Sequence, residues 1–274
     1  MTEHQTRNDF PPEIDMKTPS VARMYDYLLK GKDNFEIDRR AVEEMLKQIP
    51  EMFRFSHDNR AFLSRAVEYV SHEGIDQFLD LGAGLPTAEN THEVAQRVNP
   101  DARVIYVDKD PIVLAHGRAI LEDNPNTSVI TADITDTDAV LEESVSTSIL
   151  DFDRPVCVML VSMLHCIPDE QDPFGLVHRI FDRLTPGSAL IYSHLVSNEA
   201  ESRQWLTDKV HSLGTEWGRV RTPEEAGRVF QGLNVVDPGE VDCATWRAPE
   251  RHPSRVPQDP GQRIWEHSGV AFKP

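Results

Sequence analysis

The stretch Gln77-Phe78-Leu79-Asp80-Leu81-Gly82-Ala83-Gly84-Leu85-Pro86-Thr87 constrains this chain more than any other. It reads as a short apolar strand, a glycine turn and the start of a helix. Gly82 and Gly84 carry no Cβ and reach backbone angles closed to other residues. A ligand can therefore lie directly against the backbone from Gly82 through Ala83 to Gly84, near the positive end of the following helix. This is how a nucleotide-like ligand is held at the end of the first strand of an α/β sheet. Asp80 sharpens the reading. A carboxylate aimed into the turn suits an amino group or a positive charge, and does not suit a pyrophosphate.

Two further strand ends continue the signal. Arg103-Val104-Ile105-Tyr106-Val107-Asp108 is an apolar strand ending in an acid that can accept both hydrogen bonds of a ribose diol. Lys109 follows, at the expected adenosine edge. Ser128-Val129-Ile130-Thr131 then leads to Ala132-Asp133-Ile134. There Asp133 is placed to take the exocyclic amine of adenine, while Ile134 packs on the ring.

These residues resemble the class I S-adenosylmethionine-dependent methyltransferases over about Phe78 to His194. The runs Asp80 to Thr87 and Val107-Asp108-Lys109-Asp110-Pro111 are similar to one group among them, the S-adenosyl methyltransferase family first catalogued as a domain of unknown function. The N-terminal runs Ala22 to Leu29 and Gly31-Lys32-Asp33-Asn34-Phe35 resemble that family too. The resemblance implies S-adenosyl-L-methionine as cofactor. It also implies a Rossmann-like α/β fold: a mostly parallel seven-stranded sheet flanked by helices, its last strand antiparallel beside the fifth. Leu85-Pro86-Thr87 stands where the loop often has a third glycine. That departure counts against a nicotinamide oxidoreductase, whose fingerprint needs a small residue for close helix–strand packing.

Around this centre the chain divides into three expected parts: a polar tail or arm over residues 1–17, an N-terminal helical lid over 18–73, and the Rossmann-like domain over 74–274. Helices are expected near residues 20–29, 38–48 and 56–71. The fourth strand, Val156 to Val161, is apolar throughout, as a strand covered on both faces should be. Ala189 to His194 is the fifth strand and Ser268 to Lys273 the last. The proline-rich and charged stretch Asp237 to Gly261 reads mostly as loop.

A parallel sheet binds ligands at its carboxyl edge, and the N-terminal helices are expected to cover that edge and exclude water. Tyr25 shares a stripe with Val21, Leu28 and Leu29 and is assigned to packing. Tyr27 and Asn34 are assigned to the acceptor pocket or lid. Arg60 is placed to grip the methionine carboxylate with paired hydrogen bonds. Backbone carbonyls of Ser162 and Met163, after the fourth strand, are expected to hold the donor's ammonium group. His165 is the candidate general base, with His194 second. No metal cluster is seen.

The formal charge of −18 over 274 residues repels phosphate backbones, so nucleic acid is a poor acceptor. Ser162-Met163-Leu164-His165 lacks the Asp/Asn-Pro-Pro-Tyr/Phe motif of many amino-directed methyltransferases. Both points favour a small-molecule acceptor; a non-catalytic S-adenosylmethionine binder is the alternative. No apolar run approaches the ~20 residues of a membrane span. Three cysteines without CxxC spacing and a polar N-terminus suit a reducing cytoplasm. The sequence sets no oligomeric state.

Overall fold

The computed structural model describes residues 15–86, 89–120, 124–249 and 263–274. The expected N-terminal arm, the helix start at Thr87 and the second half of the Asp237–Gly261 loop lie largely outside the described residues. Five strands run parallel: β1 (Gln77–Leu81), β2 (Arg103–Asp108), β3 (Thr127–Thr131), β4 (Cys157–Val161) and β5 (Ala189–Val196). A long β8 (Trp265–Phe272) lies antiparallel beside β5. The order is β3-β2-β1-β4-β5-β8-β6. The fold is Rossmann-like, with the strand order reversing between β1 and β4. That is where a ligand crevice opens.

The sheet has eight strands rather than seven. β6 (Asn234–Val235) and β7 (Val241–Asp242) pair with successive stretches of β8. β7 falls in the stretch read as loop, because two residues cannot show an alternating pattern. The described residues just after β7 are also anchored. Trp246 is fully buried edge-on against Phe62 and Tyr69, with ring centroids 5.4 and 5.8 Å away. Arg65 donates to the carbonyls of Trp246 (2.8 Å) and Cys243 (2.6 Å).

Alternation along the strands sorts the core into two layers. Leu79 and Leu81 of β1, with Val158 and Leu160 of β4, face α6 (Thr137–Ser146) and α7 (Pro173–Asp182). Phe78, Cys157 and Met159 face α3 (Met52–His72) and α4 (Thr91–Val98). Side chains change face at every residue of a strand. Asp80 therefore lies on the α3–α4 face. α5 (Pro111–Ile120) begins at Pro111, the position where a missing N–H does no harm.

The helical segment 18–73 divides by its packing. Most of α3 is a layer of the sheet domain, through Phe62, Leu63, Ala66, Val67 and Val70. α1 (Val21–Leu28) and α2 (Glu36–Leu46) instead join the start of α3 and α8 (Ala200–His211) in a separate cluster, which includes Leu195 at the end of β5. A buried ion pair ties α1 to α2: Arg23 Nε donates to Asp38 Oδ2 at 2.7 Å. The second oxygen of Asp38 takes the Ser20 amide at 2.9 Å. Ser20 Oγ bonds Asp110 beyond β2 (2.9 Å), so the N-terminal helices are fastened to the loop that follows Asp108. A four-residue helix, α9 (Pro223–Ala226), opens with a Thr222 cap before β6.

Candidate functional site

A cavity of about 660 Å³ opens at the carboxyl ends of β1, β2 and β4 and runs under α1. Asp80, Gly82, Ala83, Gly84, Asp108, Lys109, Asp133, Ile134, Ser162, Met163 and Arg60 all line it.

The glycine turn is shaped by its neighbours. Gly82 has φ +75°, and a Cβ there would come within 2.4 Å of Met163 Sδ. The amides of Gly82 and Ala83 both donate to the Val107 carbonyl, at 2.8 and 3.2 Å. Gly84 donates to Asp108 Oδ2 at 2.9 Å, and the Asp110 amide donates to Asp108 Oδ1 at 2.9 Å. The two oxygens of Asp108 are thus fixed in direction. A carboxylate has further acceptor capacity beyond one bond per oxygen. Burial pushes the Asp108 carboxyl above its usual range.

Asp80 is buried and accepts from Thr91 Oγ1 at 2.7 Å. Burial raises its pKa to about 6, opposed by the Thr91 bond and the nearby Arg60 charge. A buried carboxyl in this state gains from any cation that enters beside it. Arg60 also donates to the Glu89 carbonyl at 3.0 Å. Asp133 is already engaged. Thr135 occupies Oδ1 through its amide and hydroxyl, and Lys109 occupies Oδ2 at 3.0 Å. Lys109 also reaches Glu216 at 2.6 Å, which draws the loop after α8 over this end of the cavity.

The two tyrosine assignments are reversed. Tyr25 lines the cavity, with its hydroxyl donating to the Ser56 carbonyl (3.2 Å) and accepting from Asn59 Nδ2 (2.9 Å). Tyr27 lies against Phe53 and bonds Glu43 at the surface. The helix meets the cavity with the side that carries Tyr25, and residues two apart cannot share a face. Asn34 does not reach the cavity either. Its amide donates to Asp26 Oδ2 at 2.7 Å and to the Gly31 carbonyl at 3.1 Å, which holds the loop between α1 and α2.

His165 lines the cavity, yet it is a poor proton acceptor. Its Nδ1 accepts the Leu195 amide at 3.2 Å, which leaves the proton on Nε2. Burial and the Arg221 charge push its pKa down to about 3. His194 is buried 5.2 Å from it, ring to ring, and is pushed down by burial and by His165 itself. Both are fixed, neutral rings.

The sequence reading missed Glu266. It lies on β8 opposite Leu195 of β5, lines the cavity, and is only 1% exposed. Ser162 Oγ donates to its Oε1 at 2.6 Å. Ser162 stands at φ +59°, a backbone angle unusual for a non-glycine residue. Its amide bonds Ser193 Oγ (2.8 Å), which in turn bonds Asn59 Oδ1 (2.7 Å). A continuous chain of polar groups so links β4, β5, α3 and Tyr25. A single glutamate inside an unremarkable strand carries no motif, and only the strand pairing brings it to the site.

The S-adenosyl methyltransferase family matches residues 7–274. The chain belongs to that family. This methyltransferase is similar to a Thermobifida fusca YX protein solved as a candidate methyltransferase. The two are 43% identical over 96% of this chain and 98% of the other, with a TM-score of 0.86. It is similar also to a DUF574 family protein from Streptomyces avermitilis MA-4680, at 33% identity over 95% and 99% of the two chains, TM-score 0.86. No curated protein matches the methyltransferase.

The cofactor is S-adenosyl-L-methionine, and the cavity's donors and acceptors fit it. Asp108 offers fixed oxygens to a diol. Asp80 offers a buried carboxyl to an ammonium group. The Gly82 turn lets the Met163 side chain pack directly against the backbone at the cavity wall. No helix among the described residues is long and apolar enough to cross a membrane.

Proposed function

We propose that this S-adenosylmethionine-dependent methyltransferase acts on a small-molecule acceptor, by direct in-line transfer without a covalent enzyme intermediate. The observation that carries this reading is the extent of the cavity. It continues from the Asp80–Asp108 end to a wall of Met24, Met45, Met52, Phe55 and Leu206, contributed by α1, α2, α3 and α8. That apolar wall suits a small apolar molecule.

The cofactor supplies a sulfonium methyl group that is already activated for transfer. Asp108 and Ile134 hold the adenosine end, Asp80 and Arg60 the amino-acid end. Ser162 and Met163 border the place where the two halves of the chamber meet. The N-terminal helices keep water out, which strengthens every charge interaction inside. The residues need only hold the acceptor atom in line with the methyl carbon, about 3 Å away. Cofactor binding without transfer has no observation in its favour. A reducing cytoplasm suits the three free cysteines.

Titration with S-adenosylmethionine, followed by methyl-labelled donor with a fractionated metabolite extract, tests the reading. Label is expected in a small-molecule fraction. Label found only on protein or nucleic acid, or on nothing while cofactor binds, would overturn it.

A further inference from the structure

We propose that Glu266 is the acceptor-recognition group of the cavity, and that the acceptor is a small apolar molecule bearing a basic amine. The inference rests on the methyl-transfer reading above and adds the class of acceptor to it.

The observation is a buried acid with an unused oxygen. Oε1 of Glu266 is held by Ser162, and Oε2 has no partner among the described residues. A buried polar atom left unpaired costs about 1–3 kcal/mol. Buried polar side-chain atoms are mostly paired, so a free carboxylate oxygen in a cavity wall is a place for a ligand group. Glu266 lines the cavity, on the β5–β8 side, away from the Asp108 loop at the end of β2. Met45, Met52, Phe55, Leu206 and Val210 line the same cavity and give it an apolar wall.

The sign of the field selects the ligand. Asp80, Asp108 and Glu266 all line the one chamber. A phenolate or a carboxylate entering beside Glu266 would keep that carboxyl protonated and gain no opposite charge. An ammonium group brought against Glu266 would draw the carboxyl into its charged form and pair with it, in surroundings where such a pair is weakly screened. The other groups that face Glu266 are Tyr25 from α1, Cys166 after β4, Tyr192 from β5, and Asp242 and Cys243 from the β7 side. None of them is a cation.

The same arrangement handles the proton that an amine must lose before it can be methylated. Burial raises the Glu266 pKa to about 8. That is far closer to the ~10 of an alkyl ammonium than an ordinary carboxylate would be. One ammonium N–H bond breaks and its electron pair stays on nitrogen. The proton passes to Oε2, leaving a neutral carboxyl and a neutral amine.

Calorimetry on the full chain saturated with S-adenosylhomocysteine tests this. The probes are a panel of alkyl and arylalkyl primary amines, each beside its matched alcohol and carboxylate. 2-Phenylethylamine, 2-phenylethanol and 3-phenylpropionate are the lead set. At least one amine is expected to bind tenfold or more tightly than both of its partners. Runs at pH 7 in buffers of different ionisation enthalpy should show release of about one proton per amine bound, because the empty carboxyl is protonated and the paired one is not. At pH 9 the release should nearly vanish. Glu266→Gln keeps the Ser162 contact and should lose both the tenfold preference and the proton release, with S-adenosylhomocysteine affinity unchanged. If no amine outbinds its partners, or Glu266→Gln keeps the preference, the amine assignment falls alone. If S-adenosylhomocysteine itself fails to bind, the methyl-transfer reading falls and takes this inference with it.

Discussion

The amide of Gly84 donates a 2.9 Å hydrogen bond to Asp108, so the loop after β1 and the end of β2 are one unit. Asp108 therefore braces the glycine loop, and in the binding mode proposed above it also presents oxygens to the ribose. Asp108→Ala removes both. Charge-assisted hydrogen bonds contribute about 1.5–3 kcal/mol each. S-Adenosylmethionine affinity should fall at least tenfold by calorimetry, while far-UV circular dichroism stays that of the parent. Unchanged affinity would leave Asp108 as a brace alone.

Gly31 lies hard against Asp26. A Cβ on Gly31 would stand 1.9 Å from Asp26 Oδ1, and that carboxylate cannot step aside. It already accepts from Asn34 Nδ2 and from the Asp33 amide. Gly31→Ala should strain the α1–α2 junction by about 1–3 kcal/mol. Hydrogen exchange should quicken in α1 and α2, with the β1, β2 and β4 amides unaffected, and cofactor dissociation should speed up. Uniform quickening across the sheet would mean that the N-terminal helices are not a separable cover.

Tyr25 and Tyr27 should separate cleanly. Tyr25→Phe removes the acceptor of the Asn59 amide inside the cavity wall, an unpaired donor worth about 1–3 kcal/mol. It should lower the melting temperature and weaken acceptor binding. Tyr27→Phe gives up only a surface bond to Glu43 and should change neither by a measurable amount. Thermal melts of both variants, with and without S-adenosylmethionine, decide the matter. Equal loss in the two would contradict the placement of α1.

Local signals made the strand-end lining of the cavity legible in the sequence. Each strand end carries its own acid, and Asp80, Asp108 and Asp133 need no knowledge of distant partners to be found. The parallel strands were legible for the same reason, because β1, β2 and β4 are apolar runs bounded by turns. The acceptor half is assembled from segments far apart in the chain. Tyr25, Asn59 and Glu266 come together only through helix docking and the antiparallel insertion of β8 beside β5. The face of α1 was misjudged because a short helix with tyrosines on two sides offers two plausible inward stripes. His165 looked like a base because sequence shows a histidine and not the Leu195 amide that occupies its Nδ1.

Glu266 should leave its mark on the pH dependence of stability. Its folded-state pKa, about 8, stands above the ordinary 4.5 because burial disfavours the charged form. The unfolded chain therefore ionises this carboxyl first. Below about pH 4.5 the group is neutral in both states and its contribution to stability is fully present. As pH rises from there towards about 8, each pH unit costs the folded state about 1.4 kcal/mol relative to the unfolded chain. Above about 8 the contribution is lost and the cost levels off. Glu266→Gln is neutral at every pH and escapes this loss. Denaturant melts of the two proteins without ligand should give a stability difference that is flat below pH 4.5. The difference should turn progressively in favour of the variant up to pH 8, and flatten again. Tracking the difference cancels the other acids, which titrate alike in both. A difference independent of pH between 5 and 8 would show that Glu266 ionises normally, and that the oxygen left over by Ser162 is already satisfied by water.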